Sequence, residues 1–146
     1  MAAFLGIGHV HLKVSNVKNA EKFYTTLLDF KVTEKVGNYV FLTFGKKHHD
    51  LALQEISNAE SPSENTIGLY HFAIEARNVK VLAELYFKLR KEGISVSPID
   101  HGISKTLYFS DPDGNGIEVY ADTRHLRKKW GGLSSIITEK ELKSYN

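Results

Sequence analysis

The sequence predicts an α+β fold built from two copies of one βαβββ module, and two observations support this prediction. First, a strand pattern, a helix pattern and three further strand patterns occur twice along the 146 residues. Second, His9–Lys18 (HVHLKVSNVK) matches His71–Lys80 (HFAIEARNVK) at a constant offset of 62 positions, with four of the ten residues identical. Because one such module is too small to bury a face of its own sheet, the two copies are expected to pack around a shared surface.

The first module covers about residues 6–56 and begins with a strand. Residues 8–14 read GHVHLKV, where apolar and polar side chains alternate as they do in a strand with one buried face. Ser15-Asn16 supplies the N-cap of a helix over residues 17–28, whose apolar residues recur at helical spacing. Three short β-rich runs complete the module, at residues 31–36, 39–44 and 51–54.

A polar segment, residues 57–66 (SNAESPSENT), is predicted to link the modules. The second module, about residues 67–121, repeats the pattern with a strand at 69–76 and a helix that stops at Gly93. Three further strands are predicted at 94–99, 106–109 and 117–120, and DPDGNG (111–116) reads as the hairpin connection before the last of them.

A basic C-terminal tail, residues 122–146, lies beyond the repeat. For TRHLRKKW (123–130) we predict a solvated helix whose Trp130 packs back on the domain or on a second subunit, with phosphate binding or partner docking as the alternative. All 146 residues are expected to form a single domain.

Composition excludes several classes of function. The net charge is only +2 and the basic excess lies at the C-terminal end, so neither nucleic-acid nor membrane binding is expected. The absence of cysteine removes disulfides and thiolate catalysis and leaves histidine and carboxylates as the strong metal ligands. No apolar run approaches about 20 residues and the first residues lack a signal-peptide pattern, so a cytoplasmic protein is expected.

Three residues point to a metal. Glu118 lies in the middle of a predicted strand between Ile117 and Val119, where its charge needs compensation that a metal ion can supply. His9 and His71 occupy equivalent positions in the two modules. If the two first strands lie side by side, both imidazoles point into one cavity, although a single strand histidine is more often structural.

These segments make the chain resemble the vicinal oxygen chelate superfamily, which includes glyoxalase I, methylmalonyl-CoA epimerase, fosfomycin-resistance transferases and extradiol dioxygenases. The resemblance covers about residues 6–120 and rests on GHVHLKVSNVKNAEKFY, LYHFAIEARNV and LYFSDPDGNGIEVY. It implies paired modules that form a cupped, incompletely closed mixed sheet around one divalent metal, with His9, His71 and Glu118 as ligands. Two imidazoles and one carboxylate leave about three positions open on an octahedral ion, which suits Fe(II) or Mn(II) and a bidentate substrate.

Glyoxalase I and the epimerase resemble each other in using a fourth protein ligand, from the last strand of the first module. Aligning residues 51–54 with residues 117–120 puts Ala52 at that position, and alanine cannot bind a metal. The chain therefore resembles the dioxygenases and the fosfomycin transferases, which use three protein ligands and water.

The resemblance to extradiol dioxygenases extends to Tyr108, ten residues before Glu118. It implies that Tyr108 hydrogen-bonds a substrate oxygen and that His101 or His49 donates or accepts a proton. The implied substrates are O2 and a catechol-like diol that chelates the metal through both oxygens, and a second copy of the chain, in a homodimer, is expected to close the site. Structural roles for these three residues remain the alternative.

Other activities of the superfamily stay open. One is a glyoxalase-type lyase or isomerase with Zn or Ni, and another is a thiol transferase. A non-catalytic bleomycin-type drug-binding protein is also possible, although the presence of His9, His71 and Glu118 argues against it. A metal-binding module without turnover is the last alternative.

Overall fold

The computed structural model describes all of residues 1–146, and the chain divides into two compact units. Unit 1 comprises Met1–Asn65 with Pro112–Gly114, and unit 2 comprises Thr66–Asp111 with Asn115–Asn146. Each unit contains one β-α-β-β-β succession around an open sheet, which confirms the predicted α+β fold class. No helix is long and apolar enough to cross a bilayer.

Unit 1 is a four-stranded mixed sheet with one helix. The sheet has the order β1-β4-β3-β2, in which β1 runs parallel to β4 and the other pairs are antiparallel. Its elements are β1 (Val10–Val14), α1 (Val17–Leu27), β2 (Lys31–Val36), β3 (Tyr39–Thr43) and β4 (Leu51–Glu55).

The core of unit 1 follows the predicted alternation. In β1, Leu12 and Val14 are buried, whereas His11 and Lys13 are exposed. The Asn16 side chain accepts a hydrogen bond from the Asn19 N–H at 2.8 Å and so caps α1, which packs on β3 and β4. The buried residues of α1 are Ala20, Phe23 and Tyr24.

Unit 2 repeats this layout and adds the tail. Its sheet has the order β5-β8-β7-β6-β9, with β5 parallel to β8 and the other pairs antiparallel. Its elements are β5 (Phe72–Ala76), α2 (Val79–Lys91), β6 (Ser97–Asp100), β7 (Ser104–Ser110), β8 (Gly116–Asp122), β9 (Ser135–Ile136) and α3 (Glu139–Lys143).

The repeat predicted from the sequence is a structural repeat. Both β5 and α2 begin 62 residues after β1 and α1, and Asn78 caps α2 as Asn16 caps α1. One detail of the prediction is wrong, because His9 and His71 do not lie within the first strands. Each lies one residue before its strand, since the ladder with the parallel neighbour begins at Val10 and Phe72.

The predicted helix over residues 123–130 does not form, and that part of the prediction is wrong. Residues 124–126 make a single turn. The backbone of Thr123 donates to the carbonyl of Ile103 at 2.9 Å, so the tail begins on the β6–β7 connection instead of in a helix of its own. Further along, β9 adds an edge strand next to β6, and α3 buries Leu142 and packs against α2.

Candidate functional site

Two predicted ligands meet in unit 2. The strands β5 and β8 are parallel neighbours, and Ala73 is the partner of Glu118 across their ladder. His71, two residues before Ala73, reaches the same carboxylate, with its Nε2 atom 2.8 Å from Glu118 Oε2. The two side chains are 27% and 15% exposed, so their contact is largely shielded from water.

Gly116, the first residue of β8, permits this approach. A Cβ atom at position 116 would collide with the carbonyl oxygen of Tyr70 and would lie 3.2 Å from the Cβ of His71. Glycine is the residue that allows backbone segments to approach so closely. The position of His71 beside Glu118 therefore depends on the absence of a side chain at residue 116.

The other carboxylate oxygen of Glu118 faces β7. The hydroxyl of Thr106, which is fully buried, donates to Oε1 at 3.0 Å, and the Tyr108 hydroxyl lies 3.4 Å from the same oxygen. Tyr108 is directly opposite Glu118 in the antiparallel β7–β8 pair. The ten-residue spacing noted in the sequence is thus the spacing of two partners across a short hairpin. Ile117 and Val119 are buried on the opposite face, as the alternation predicts.

His101 continues this series of contacts from the β6–β7 connection. Its Nε2 atom is 2.9 Å from the Tyr108 hydroxyl, and its Nδ1 atom is 2.9 Å from the carbonyl oxygen of Leu133. The Ser134 hydroxyl, which can donate or accept, also lies 3.1 Å from Nδ1. A carbonyl only accepts hydrogen bonds, so the Leu133 oxygen is the partner that assigns the proton to Nδ1 in the neutral ring. Nε2 then accepts the proton of the Tyr108 hydroxyl.

Tyr108 stays protonated in this environment. Burial, reinforced by the negative charge of Glu118, raises the pKa of Tyr108 to about 12. At neutral pH the side chain is therefore a hydrogen-bond donor and not a phenolate.

His71 and Glu118 fit a divalent metal. Imidazole nitrogen and carboxylate oxygen are common donors for such ions. Two ligand atoms at right angles on an ion with bonds of about 2.1 Å lie about 3.0 Å apart, close to the 2.8 Å observed between Nε2 and Oε2. The Nδ1 atom of His71 is buried without a hydrogen-bond partner, whereas a metal-bound imidazole usually donates a hydrogen bond from its second ring nitrogen.

Unit 1 brings together two other predicted site residues. The rings of His9 and His49 are 4.4 Å apart, and the ring of Phe41 lies 5.0 Å from that of His49. Partial burial, together with the neighbouring His9 and His48, lowers the pKa of His49. His48 itself is exposed and contacts Glu34, with 3.0 Å between Nε2 and Oε2.

The predicted site residues thus fall into two groups. His71, Glu118, Tyr108 and His101 are connected in unit 2, whereas His9 and His49 are in contact in unit 1. No set of three or more His, Asp or Glu side chains is gathered into a metal-binding group.

The register of the strands supports the alignment that placed Ala52 at the position of Glu118. Ala52 is the β4 partner of His11 in β1, just as Glu118 is the β8 partner of Ala73 in β5. Across the antiparallel ladders, Phe41 faces Ala52 where Tyr108 faces Glu118. Unit 1 therefore offers no ligand atom at this position.

Sequence reasoning missed Thr106 and Leu133. Thr106 precedes Tyr108 by two residues in β7, so strand alternation places both on one face and could have identified it. Leu133 contributes only its backbone carbonyl, which no residue type reveals.

A comparison with models of protein families identifies the family to which this chain is related. The model described as Glyoxalase/Bleomycin resistance protein/Dioxygenase superfamily matches residues 6–119. The chain belongs to this superfamily. The resemblance found in the sequence motifs is thereby confirmed.

Curated members of the superfamily include enzymes that are similar to this chain. The catechol-2,3-dioxygenase of Bacillus subtilis (strain 168) is 38% identical over 117 residues, which cover 80% of this chain and 41% of the relative. Biphenyl-2,3-diol 1,2-dioxygenase 2 of Rhodococcus globerulus is 33% identical over 124 residues, with 84% and 65% covered. The chain thus spans less than two thirds of the length of either relative. Glutathione transferase FosA of Serratia marcescens is 23% identical over 121 residues, with 83% and 84% covered.

Solved structures of the superfamily share the fold. A glyoxalase/bleomycin resistance protein/dioxygenase domain from Frankia sp. EAN1pec matches with a TM-score of 0.70 at 22% identity, covering 82% of this chain and 99% of that one. Lactoylglutathione lyase from Agrobacterium tumefaciens matches with a TM-score of 0.65 at 22% identity, covering 83% and 98%. At this level of identity the likeness concerns the fold alone.

Proposed function

We propose that the chain is a metal-dependent enzyme of this superfamily and that it acts as an extradiol, ring-cleaving dioxygenase on a catechol-type diol. The observation that carries the proposal is the series of contacts in unit 2 that runs from His71 through Glu118 and Tyr108 to His101. It sets two candidate metal ligands, His71 and Glu118, beside a protonated phenol and a candidate imidazole base. The dioxygenase names of the relatives at 38% and 33% identity support the same chemistry.

His71 and Glu118 would hold the metal, and His9, the repeat equivalent of His71, would supply the third ligand. We propose Fe(II) or Mn(II), because a set of two imidazoles and one carboxylate with open positions is typical of redox-active non-haem sites. When bound, the ion supplies the electron transfer between diol and O2 that the protein side chains cannot perform. Zn or Ni would instead favour the glyoxalase-type lyase or isomerase.

The other side chains bind and orient the diol and handle protons. Tyr108 carries a hydroxyl on the face of the sheet that holds Glu118, so it can hydrogen-bond a diol oxygen near the metal ligands. His101 is in contact with the Tyr108 oxygen and can take its proton when Tyr108 receives one from the diol. His49, beside His9, is the second candidate acid or base.

The proposed partners are a small diol, O2 and a second copy of the chain. The homodimer is carried forward as a proposal from the sequence, in which a second copy of the chain closes the site. Nucleic acid and membranes are not proposed as partners. Cytoplasmic location and the single-domain organisation remain predictions from the sequence.

The function can be tested by oxygen uptake. The full chain, freed of metal and reloaded anaerobically with Fe(II) or Mn(II), is mixed with catechol or biphenyl-2,3-diol in an oxygen electrode. We expect one O2 consumed per diol, with both oxygen atoms retained in the ring-opened product. The variant His71→Ala should lose this activity, whereas His11→Ala, at an exposed histidine of β1, should retain it.

Three results would overturn the proposal in favour of a specific alternative. A metal-loaded protein that consumes no O2 but isomerises the methylglyoxal–glutathione adduct would be a lyase. One that joins glutathione to an epoxide would be a thiol transferase. A protein that takes up no metal but binds bleomycin would be a drug-binding member.

A further inference from the structure

The C-terminal loop, residues 124–134, is attached to unit 2 at both ends. Before the loop, buried Thr123 donates its hydroxyl to the carbonyl of Gly102 at 2.7 Å and its N–H to that of Ile103 at 2.9 Å. After the loop, Ile136 of β9 pairs with Ile99 of β6. Both attachments lie on the β6–β7 hairpin, so the C-terminal loop is fixed next to the connection that carries His101.

Gly102 permits this packing. Its φ of +77° lies in the left-handed region that favours glycine. A Cβ atom there would collide with the Cδ of Arg127 and lie 3.0 Å from the Cδ2 of Leu133. The loop residues therefore occupy the space that a side chain at position 102 would fill.

Within the C-terminal loop, one backbone oxygen accepts two hydrogen bonds. The indole Nε1–H of Trp130 donates to the Leu133 carbonyl at 2.6 Å, and the Nδ1–H of His101 donates to the same oxygen at 2.9 Å. The Leu133 N–H in turn donates to the Trp130 carbonyl at 3.1 Å. Trp130 thus closes a turn that holds the Leu133 oxygen toward His101, and its ring lies edge-on to the imidazole at 6.1 Å.

This acceptor decides where the proton of Tyr108 lies. With hydrogen on Nδ1, His101 presents the lone pair of Nε2 to the Tyr108 hydroxyl at 2.9 Å. In the opposite tautomer Nε2 would donate to the Tyr108 oxygen, and Tyr108 would have to donate to Glu118 Oε1, at 3.4 Å. Thr106 already donates to that oxygen at 3.0 Å. The 2.9 Å contact is present in either tautomer, but Tyr108 donates across it only in the tautomer that the C-terminal loop selects.

We propose that the C-terminal loop is a positioning element in which Trp130 and the Leu133 carbonyl hold His101 in the Nδ1–H tautomer, with Nε2 ready to accept the proton of Tyr108. Trp130 is thereby a positioning residue of the same site. Its catalytic meaning rests on the proposed dioxygenase function, whereas the tautomer itself requires neither metal nor turnover.

The test is a two-bond 1H–15N correlation spectrum of the imidazoles in the metal-free full chain, with the His101 signals identified by their loss in His101→Gln. In the wild type we expect hydrogen on Nδ1 and a bare Nε2. Trp130→Phe keeps the ring but removes the N–H, and it should lower the ratio of the Nδ1–H to the Nε2–H tautomer about fivefold. Leu126→Ala, at a side chain on the same loop that is 72% exposed, should leave the ratio unchanged.

Two results would overturn the proposal. One is a wild-type protein with hydrogen on Nε2, and the other is a Trp130→Phe protein with the same tautomer ratio as Leu126→Ala while its amide spectrum remains that of the folded chain. In an active enzyme, Trp130→Phe should also lower kcat about tenfold with KM within about twofold. If the tautomer behaves as expected but no diol is oxidised, the positioning role stands and the dioxygenase proposal fails.

Discussion

In unit 2 the middle of β8 sets Glu118 opposite Tyr108, whereas in unit 1 the equivalent position of β4 sets Ala52 opposite Phe41. The backbone pairing at these positions is the same in both units, and the difference there lies in two side chains. Ala52 is 2% exposed and needs no polar partner, while Glu118 needs His71, Thr106 and Tyr108 around it. The two units thus share one backbone arrangement at this position, but only unit 2 carries a carboxylate there.

His9 and His71, the histidines before the first strands of the two units, are the same residue type but have different surroundings. His9 is exposed and contacts the ring of His49, whereas His71 is mostly covered and contacts a carboxylate. A metal ligand is held best where a second group orients it and water is excluded. Unit 2 meets the second of these conditions, since the contact of His71 with Glu118 is largely shielded from water, and the variants below contrast it with unit 1.

The largest effect is expected from Glu118→Gln, which removes the charge that unit 1 lacks at Ala52. Metal content should fall below about 0.1 ion per chain and diol oxidation by about 10³-fold or more, because the ion contributes several kcal/mol to the transition state. Elemental analysis and oxygen uptake measure the two losses. Gln54→Ala, at a polar position of β4 in unit 1, should change neither, and a Glu118→Gln protein with a full metal complement would refute the assignment.

Tyr108→Phe gives unit 2 the aromatic residue that unit 1 carries at Phe41. Loss of the hydroxyl should reduce kcat about 100-fold while metal content stays the same, since proton handling is lost but the ligands remain. Steady-state oxygen uptake gives kcat and KM. Tyr120→Phe removes a phenol hydroxyl that bonds to Glu75 instead, so kcat should remain within about twofold; equal losses in both variants would contradict a specific role for Tyr108.

Gly116→Ala should displace His71 without altering any ligand. The new methyl group would push against the Tyr70 carbonyl, and we expect metal affinity to fall about 10- to 100-fold, as it does when groups that orient ligands are disturbed. Isothermal titration with Mn(II) measures this loss. Gly8→Ala, the residue before His9, meets no atom within 4 Å and serves as the matched change in unit 1. Unchanged affinity in Gly116→Ala would show that the close approach is not needed.

The smallest effect concerns an ion cluster that joins the tail of unit 2 to β7. Lys105 Nζ lies 2.6 Å from Asp100 Oδ2 and 3.0 Å from Glu141 Oε1. Burial alone would raise the pKa of Asp100, but hydrogen bonds from Lys105 and the Gly102 N–H lower it. Hydrogen bonds from Tyr145 and Lys105 lower the pKa of Glu141.

Because both carboxyl pKa values are lower in the folded chain, the unfolded chain binds more protons as pH falls. The stabilisation is therefore complete above the unfolded pKa values of about 4 and is lost as pH falls through the folded ones. Lys105→Met should reduce the free energy of unfolding at pH 7 by about 2 kcal/mol and flatten its decline in acid, as measured by urea unfolding at several pH values. Lys35→Met, which breaks an exposed pair with Glu21 in unit 1, should cost less than about 0.5 kcal/mol.

Much of the fold could be predicted because burial alternates where the sequence alternates. Leu12 and Val14 in β1, and Ile117 and Val119 in β8, are buried as their spacing indicates. Val81 is an exception: helical spacing groups it with Leu82, Tyr86 and Leu89 in the apolar stripe of α2, but it is 40% exposed, whereas Ala83 is buried.

The tail was not predictable in the same way. Two residues of β9 and five of α3 are too few to show a period, and β9 exists only because β6 offers it a free edge. The pairing of Tyr108 with Glu118 could be anticipated from their spacing. The role of the Leu133 carbonyl could not, because a backbone oxygen is present at every position and only the folded loop brings this one to His101.

The parallel pairing of β5 with β8 has a consequence for how unit 2 folds. The two strands begin and end the βαβββ succession, and α2, β6 and β7 lie between them in sequence. Local contacts such as those of a helix or a hairpin form early, whereas contacts between distant segments form after the entropy of closing the intervening chain has been overcome. His71 and Glu118 therefore meet only when the chain between them has been closed into the sheet. An ion that needs both ligands would bind the finished fold in preference to any partly folded chain, and its binding would then shift the folding equilibrium toward the native state.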